Sequence, residues 1–245
     1  MPKDIDMEFI NRAMKVTSFN LKPDDFISLK FKKEIQYLFN THFFPSFDTS
    51  KTIKGVNKDK VNRLVDELKS ISKSNLFYLH TYNLKGVGPG EATLFFLIDD
   101  AHLGGGASAG VDLVAGTKKY EIKAVDIDAA GKEVSNFKTG GTFDISRLIA
   151  RGMDLKKRVG ATGEGVNKAA IQKIIEKLPD EWKQLESDYQ DAAYNNYFKD
   201  HEIIFMNNMK SKADFGKIIA VKRVKKEDIM FERITSGTIK PKVKI

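Results

Sequence analysis

The chain has 245 residues, 41% of them hydrophobic and 30% charged, enough for one full-sized core or a core with a smaller satellite. A mean hydropathy of −0.36, with no apolar run near the roughly 18 residues needed to cross a bilayer, excludes a spanning helix, since Leu94–Ile98 is followed at once by Asp99 and Asp100. The absence of Cys excludes disulfides, thiolate metal sites and Cys nucleophiles, and the start Met1-Pro2-Lys3-Asp4-Ile5-Asp6 reads as neither secretory signal nor transit peptide. A cytoplasmic location in a bacterial or phage-infected cell, or in a virion, is the expectation. The net charge of +8 points to a polyanionic partner, and its location is informative: Phe205 to Ile245 holds eleven Lys or Arg against four Asp or Glu. A basic surface that merely aids solubility would give the same total.

Residues 1–80 read as helical. Met7, Ile10, Met14 and Val16 make a loose apolar stripe, Asp24 or Asp25 is placed to cap a helix through about Asn40, and Val61, Leu64, Val65, Leu68 and Ile71 recur at three and four. His42–Lys54 reads as a connection, and the Lys and Glu between the stripes as solvated faces. From Leu84 the texture changes to a glycine loop, Lys85–Glu91, that enters a buried helix over Ala92–Ile98, with Pro89 expected in its first turn. Small residues at Gly104–Gly110 precede a hairpin pattern, Val111–Val114, a turn at Ala115–Lys118, and Lys119–Val125. A strand is expected at Asn136–Phe143, then a helix from Asp144 to about Arg151 and one or two helices across Gly165–Phe198. Strands follow at His201–Met206, Lys217–Val224 and Ile229–Ile234. The fold class is therefore α/β or α+β, a mixed central β-sheet flanked by helices, with a helical N-terminal region (1–80) and a core (81–245).

The chemistry concentrates at Asp112, Glu121 and Lys123. Two carboxylates separated by a hairpin turn, with a Lys two residues beyond the second on the same strand face, bring hard oxygen ligands and a cation to one point. Mg²⁺ or Mn²⁺ held there would polarise a phosphodiester and activate a water. An acid, any residue and then Lys also occurs at Glu67–Lys69, Asp154–Lys156 and Glu181–Lys183, but Glu67 and Glu181 lie on helical patterns and Asp154 is expected just past a helix end. Glu121–Lys123 is β-rich and has an Asp on the facing strand.

With Val111-Asp112, eight intervening residues, then Glu121-Ile122-Lys123, the chain resembles the PD-(D/E)XK nuclease superfamily, including phage-encoded members. The resemblance implies a restriction-endonuclease-like fold and metal-dependent hydrolysis of DNA. By position it gives Asp112 and Glu121 as metal ligands, the main-chain carbonyl of Ile122 as a further ligand, and Lys123 as the group assisting the water. Glu91, on the helix before the hairpin, matches a further acidic ligand by placement, although a carboxylate in a first helical turn is also favoured by the helix dipole. Val111 stands where the motif's nominal Pro would be. The match covers about Gly86 to Arg151.

Lys138, beside Gly140 and Gly141, and Arg147 and Arg151, four apart on a helix, are candidates for DNA phosphates, with a solvated face as the alternative for the two arginines. The glycine clusters lack the Lys and Ser or Thr of a P-loop, and His42, His80, His102 and His201 show no metal-ligand spacing. Trp182, Tyr189, Tyr194, Tyr197 and Phe198 read as helix core rather than a base-stacking platform. Two functions stay open: a Mg²⁺-dependent deoxyribonuclease, or a nuclease-fold DNA-binding or structural part of a homo-oligomer or larger, virion-like assembly.

Overall fold

The computed structural model describes residues 5–15, 19–82, 84–104, 111–137, 143–235 and 237–245. It is mixed α+β, with antiparallel strands flanked by helices, and it divides into two compact units. Unit 1 comprises residues 1–124 and 204–221, and unit 2 residues 125–203 and 222–245. The division thus falls between Ala124 and Val125, inside a strand. Among the described residues no helix is long and apolar enough to cross a membrane.

Unit 1 opens with α1 (Met7–Met14), α2 (Lys32–Phe43), α3 (Lys58–Ile71) and α4 (Lys73–His80). Asp6 caps α1 by accepting from Phe9 N, Asn57 caps α3 through Lys60 N, and Ser72 caps α4 through Asn75 N. The cap expected from Asp24 or Asp25 belongs to a short 3₁₀ turn at Pro23–Phe26, and α2 starts only at Lys32. α2, α3 and α4 pack on α5 (Glu91–Leu97), every residue of which is buried, and α1 packs on α2. Phe26, Phe39, Phe44, Phe95 and Phe96 supply much of that core.

Not all the charged residues between the apolar stripes are solvated. Lys32, Glu34 and Gln36 are buried on α2. Lys32 Nζ donates to the carbonyls of Phe95 and Ala101, and Gln36 Nε2 donates to Phe96 O at 3.0 Å. A helix end leaves its last carbonyls without intrahelical partners, so α2 closes the C-terminus of α5 with polar side chains. Periodicity alone cannot report this, because the reason to bury Lys32 and Gln36 lies sixty residues away.

The strands of unit 1 are β1 (Ala101–Leu103), β2 (Leu113–Ala115), the first part of β3 (Lys118–Ile127), most of β5 (Glu202–Asn207) and β6 (Ile218–Lys222). β1 pairs antiparallel with β2 and β2 with β3, while β5 pairs with β3 and β6. Asn62 of α3 brackets Ile218, accepting from its N–H at 2.7 Å and donating to its carbonyl at 2.9 Å.

Unit 2 holds the end of β3, then β4 (Glu133–Ser135), α6 (Phe143–Arg158), α7 (Lys168–Lys177), α8 (Pro179–Ala193), β7 (Ile229–Thr235) and β8 (Thr238–Lys244). The antiparallel order is β3-β4-β8-β7. Most of the strand expected at Asn136–Phe143 lies outside the described residues; β4 stops at Ser135, Asn136 takes a left-handed φ of 63°, and Phe143 opens α6. α6 runs to Arg158, past the expected end at Arg151, so Asp154–Lys156 is helical. β8 escapes a pattern search because Pro241 interrupts it. Trp182 and Tyr189 do belong to the core, edge-on to Phe231 with centroids 5.0 and 5.3 Å away.

Candidate active site

The hairpin β2–β3 sets the geometry. Its register pairs Leu113 with Tyr120, and just before that pair Asp112 N donates to Tyr120 O at 3.0 Å, which holds Asp112 against the Tyr120–Ile122 stretch of β3. Residues two apart on one strand share a face, so Glu121 and Lys123 do, and the Asp112 carboxylate reaches the same ammonium, with Oδ2 3.9 Å from Lys123 Nζ. Asp112 is held three ways: its amide as above, its carbonyl accepting from Gly104 N at 3.1 Å, and its Oδ2 accepting from Ile122 N at 2.8 Å.

Lys123 Nζ lies 2.5 Å from Glu121 Oε1 and 3.9 Å from Asp112 Oδ2. The ammonium is the cation the two carboxylates share. The lysine and Glu121 side chains keep only 16% and 11% of their exposure, a setting where the attraction is screened far less than at an open surface.

Glu91 arrives from the other direction, as the first residue of α5. Its carboxyl pKa is pushed up to about 8, chiefly by burial, with the negative charge of Asp112 and, more weakly, of Glu121 adding; a hydrogen bond from the Gly88 backbone and the charge of Lys123 oppose. All the electrostatic partners of Glu91 are thus members of the hairpin constellation. The loop that delivers it depends on glycine. A Cβ on Gly88 would stand 2.5 Å from Glu91 Oε1, and Gly90 has a φ of 89° with room for no Cβ beside Met206. Gly90, and not Pro89, sits at the helix N-cap, and its N–H donates to His80 O at 2.7 Å.

Glu91, Asp112, Glu121, Ile122 and Lys123 therefore meet in unit 1. Among the described residues, no three or more His, Asp or Glu side chains are gathered closely enough to hold a metal ion. The acids have the right chemistry, hard oxygens beside one another, and burial, with the charge of Asp112 adding, drives the Glu91 carboxyl toward its neutral form. Residues the motif search passed over are Gly88 and Gly90, which shape the approach of Glu91; their signal was the glycine spacing, read only as a turn.

Arg147 and Arg151 lie on α6 in unit 2. Arg151 pairs with Asp188 of α8, while Arg147 is exposed. Lys138 lies outside the described residues. His102 is half-buried on β1, with Nδ1 3.0 Å from Leu103 O. Comparison with known proteins assigns no family: no family model, no curated protein and no solved structure matches the chain.

Proposed function

We propose that the chain is a metal-dependent deoxyribonuclease of the restriction-endonuclease-like type, hydrolysing DNA phosphodiester bonds at the β2–β3 hairpin. The observation that carries the reading is the meeting of Asp112 and Glu121 at the Lys123 ammonium, 3.9 and 2.5 Å from its Nζ, with Glu91 in electrostatic contact. Asp112, Glu121 and the main-chain carbonyl of Ile122 would hold Mg²⁺ or Mn²⁺, with Glu91 as an outer acid or fourth ligand. When bound, the ion supplies Lewis-acid polarisation of the phosphodiester and a lowered pKa for the attacking water.

The chain's own residues do the rest. Ile122 N–H fixes the Asp112 carboxylate by its Oδ2, leaving Oδ1 as its other acceptor. Lys123, once a metal ion takes up the carboxylate charge, has an ammonium with three donors to orient a water or meet the charge growing on the phosphate. Glu91, kept neutral-leaning by burial, is placed to hold or pass a proton.

A second reading is favoured by one observation: Glu121 and Lys123 already satisfy one another at 2.5 Å, as an ion pair in a purely structural or DNA-binding hairpin would. Incubating supercoiled, linear and single-stranded DNA with Mg²⁺ or Mn²⁺ separates the two. Cutting that EDTA, Asp112→Ala and Lys123→Ala each abolish supports the nuclease, and binding without cutting supports the structural reading.

A further inference from the structure

We propose that unit 1 carries a second functional surface, a lysine-lined cleft that holds the phosphodiester backbone of a nucleic-acid strand; in naming nucleic acid as the ligand it deepens the nuclease reading and rests on it for that choice. The cleft encloses about 720 Å³ between the α3–α4 corner and the loop joining β5 to β6. Lys69, Lys73, Lys210 and Lys212 line it with Phe77 and Phe215, and Ser74 and Ser211 add hydroxyls. None of the described residues lining it is acidic.

Two acids of α3 are engaged elsewhere, and one acid, the half-buried Asp214, lies in the loop between the lining residues Ala213 and Phe215. On α3, Asp66 pairs with Lys217 and Glu67 with Lys51, each at 2.7 Å. Lys73, Lys210 and Lys212 are exposed. Four ammonium groups around one cleft repel one another, and a polyanion relieves that repulsion. A single phosphate brings about two negative charges at neutral pH, half of what the cleft offers, whereas a nucleic-acid strand brings one at every nucleotide.

Two contacts keep the cleft in shape. Lys69 Nζ donates to Ala213 O, tying the loop to α3, and Lys210 Nζ sits 4.1 Å from the Phe77 ring centroid, which keeps that ammonium at the wall. Phe77 also packs on Phe215, with centroids 5.6 Å apart, and the two rings give an apolar floor suited to sugar or base. Phe215 meets His80 edge-on at 4.7 Å, and His80 O accepts the Gly90 N–H next to Glu91. The cleft wall and the loop that positions Glu91 are therefore packed together within unit 1.

The test is fluorescence anisotropy of the full chain with a labelled 20-nucleotide single strand and the matching duplex, in EDTA so that no cleavage occurs, across a salt series. Lys73→Ala/Lys210→Ala/Lys212→Ala is expected to weaken binding at least tenfold and to lower the slope of log affinity against log salt by about 2 to 3. Lys54→Ala/Lys60→Ala/Lys225→Ala, which removes the same charge from exposed positions elsewhere, is expected to stay within about threefold of wild type. Equal binding by the cleft variant and wild type, or equal loss in both triple variants, would overturn the cleft. If circular dichroism shows the triple variant unfolded, Lys73→Ala and Lys212→Ala singly must each lower the slope by about 1, and an unchanged slope in both overturns it. Poly-glutamate bound as tightly as DNA, and with the same cleft dependence, overturns nucleic acid in favour of an acidic protein partner. A wild-type chain that binds DNA through the cleft yet shows no Mg²⁺-dependent cleavage would sink the nuclease reading while leaving the cleft supported.

Discussion

Asp112 Oδ2 accepts the backbone N–H of Ile122 at 2.8 Å, while the Lys123 ammonium stands 3.9 Å from the same oxygen. One carboxylate thus has a structural duty to its partner strand and an electrostatic duty to its neighbours, and substitutions can separate them. Asn at 112 keeps an acceptor oxygen for Ile122 and removes the charge; Ala removes both. Asp112→Asn is expected to melt close to wild type, and Asp112→Ala to lose about 1 to 2 kcal/mol, the cost of an unsatisfied part-buried donor, by urea unfolding. In cleavage assays both are expected to be inactive. Equal stability of the two variants would show that the Ile122 contact contributes nothing.

Ion binding should be visible as stability even without substrate. A ligand that binds only the folded chain stabilises it by RT ln(1 + [L]/Kd), about 2.7 kcal/mol at a hundredfold excess over Kd. Wild type is expected to melt at a higher temperature in Mn²⁺ or Mg²⁺ than in EDTA. Glu121→Gln, which removes a ligand, should lose most of that increment, whereas Asp188→Asn on α8 should keep it. An increment of the same size in Glu121→Gln would place the ion elsewhere.

Gly90 gives a test of how the loop delivers Glu91. With φ at 89° and Met206 Sδ 2.5 Å from where a Cβ would be, Gly90→Ala combines left-handed strain with a clash against a flexible side chain. A loss of about 1 to 3 kcal/mol in chemical denaturation is expected. Gly55→Ala, also at positive φ but with open space around its Cβ, should lose only the strain part, about 1 kcal/mol. The reverse ranking would contradict the packing described around Met206.

Lys32 makes stability depend on pH in an unusual direction. Burial lowers its pKa to about 7, against the weaker opposing pull of Asp99 and Asp100. Between pH 7 and about 10 the unfolded chain holds this proton and the folded chain does not, so raising the pH favours folding across that window, and below pH 7 both forms are protonated and the dependence vanishes. The neutral amine keeps two N–H donors, enough for the carbonyls of Phe95 and Ala101. The contribution is expected as a rise in unfolding free energy from pH 7 to pH 9 in wild type that is diminished in Lys32→Met. A rise of equal size in both would assign it to another group.

The hairpin was legible in the sequence because a short turn fixes its register, and alternation sets Glu121 and Lys123 on one face; Asp112 joins them through a contact that alternation does not report, its Oδ2 accepting from Ile122 N. Glu91 was legible only as a position on a helix; its approach to Asp112 depends on Gly88 and Gly90, whose meaning is set by contacts across the fold. Lys32 and Glu34 read as solvated in the sequence but are buried, and the reason for Lys32 is not local, because the carbonyls it satisfies belong to α5 and β1. The lysine cleft left no pattern at all, since Lys69 and Lys73 are about 140 residues from Lys210 and Lys212 and only tertiary packing joins them. β8 and the early end of β4 were hidden for a local reason, Pro241 in one strand and the left-handed Asn136 after the other.

The most direct measurement is DNA cleavage by the purified chain in Mg²⁺, in Mn²⁺ and in EDTA, with Lys123→Met beside wild type. Lys123→Met keeps the aliphatic stem and the fold while removing the ammonium that Glu121 and Asp112 share. The account expects metal-dependent cutting by wild type, none in EDTA, and a loss of about a hundredfold or more in the variant, the scale for removing one group that stabilises developing charge. Cutting that survives intact in Lys123→Met, or a folded wild type that binds DNA and never cuts it with either ion, would contradict it.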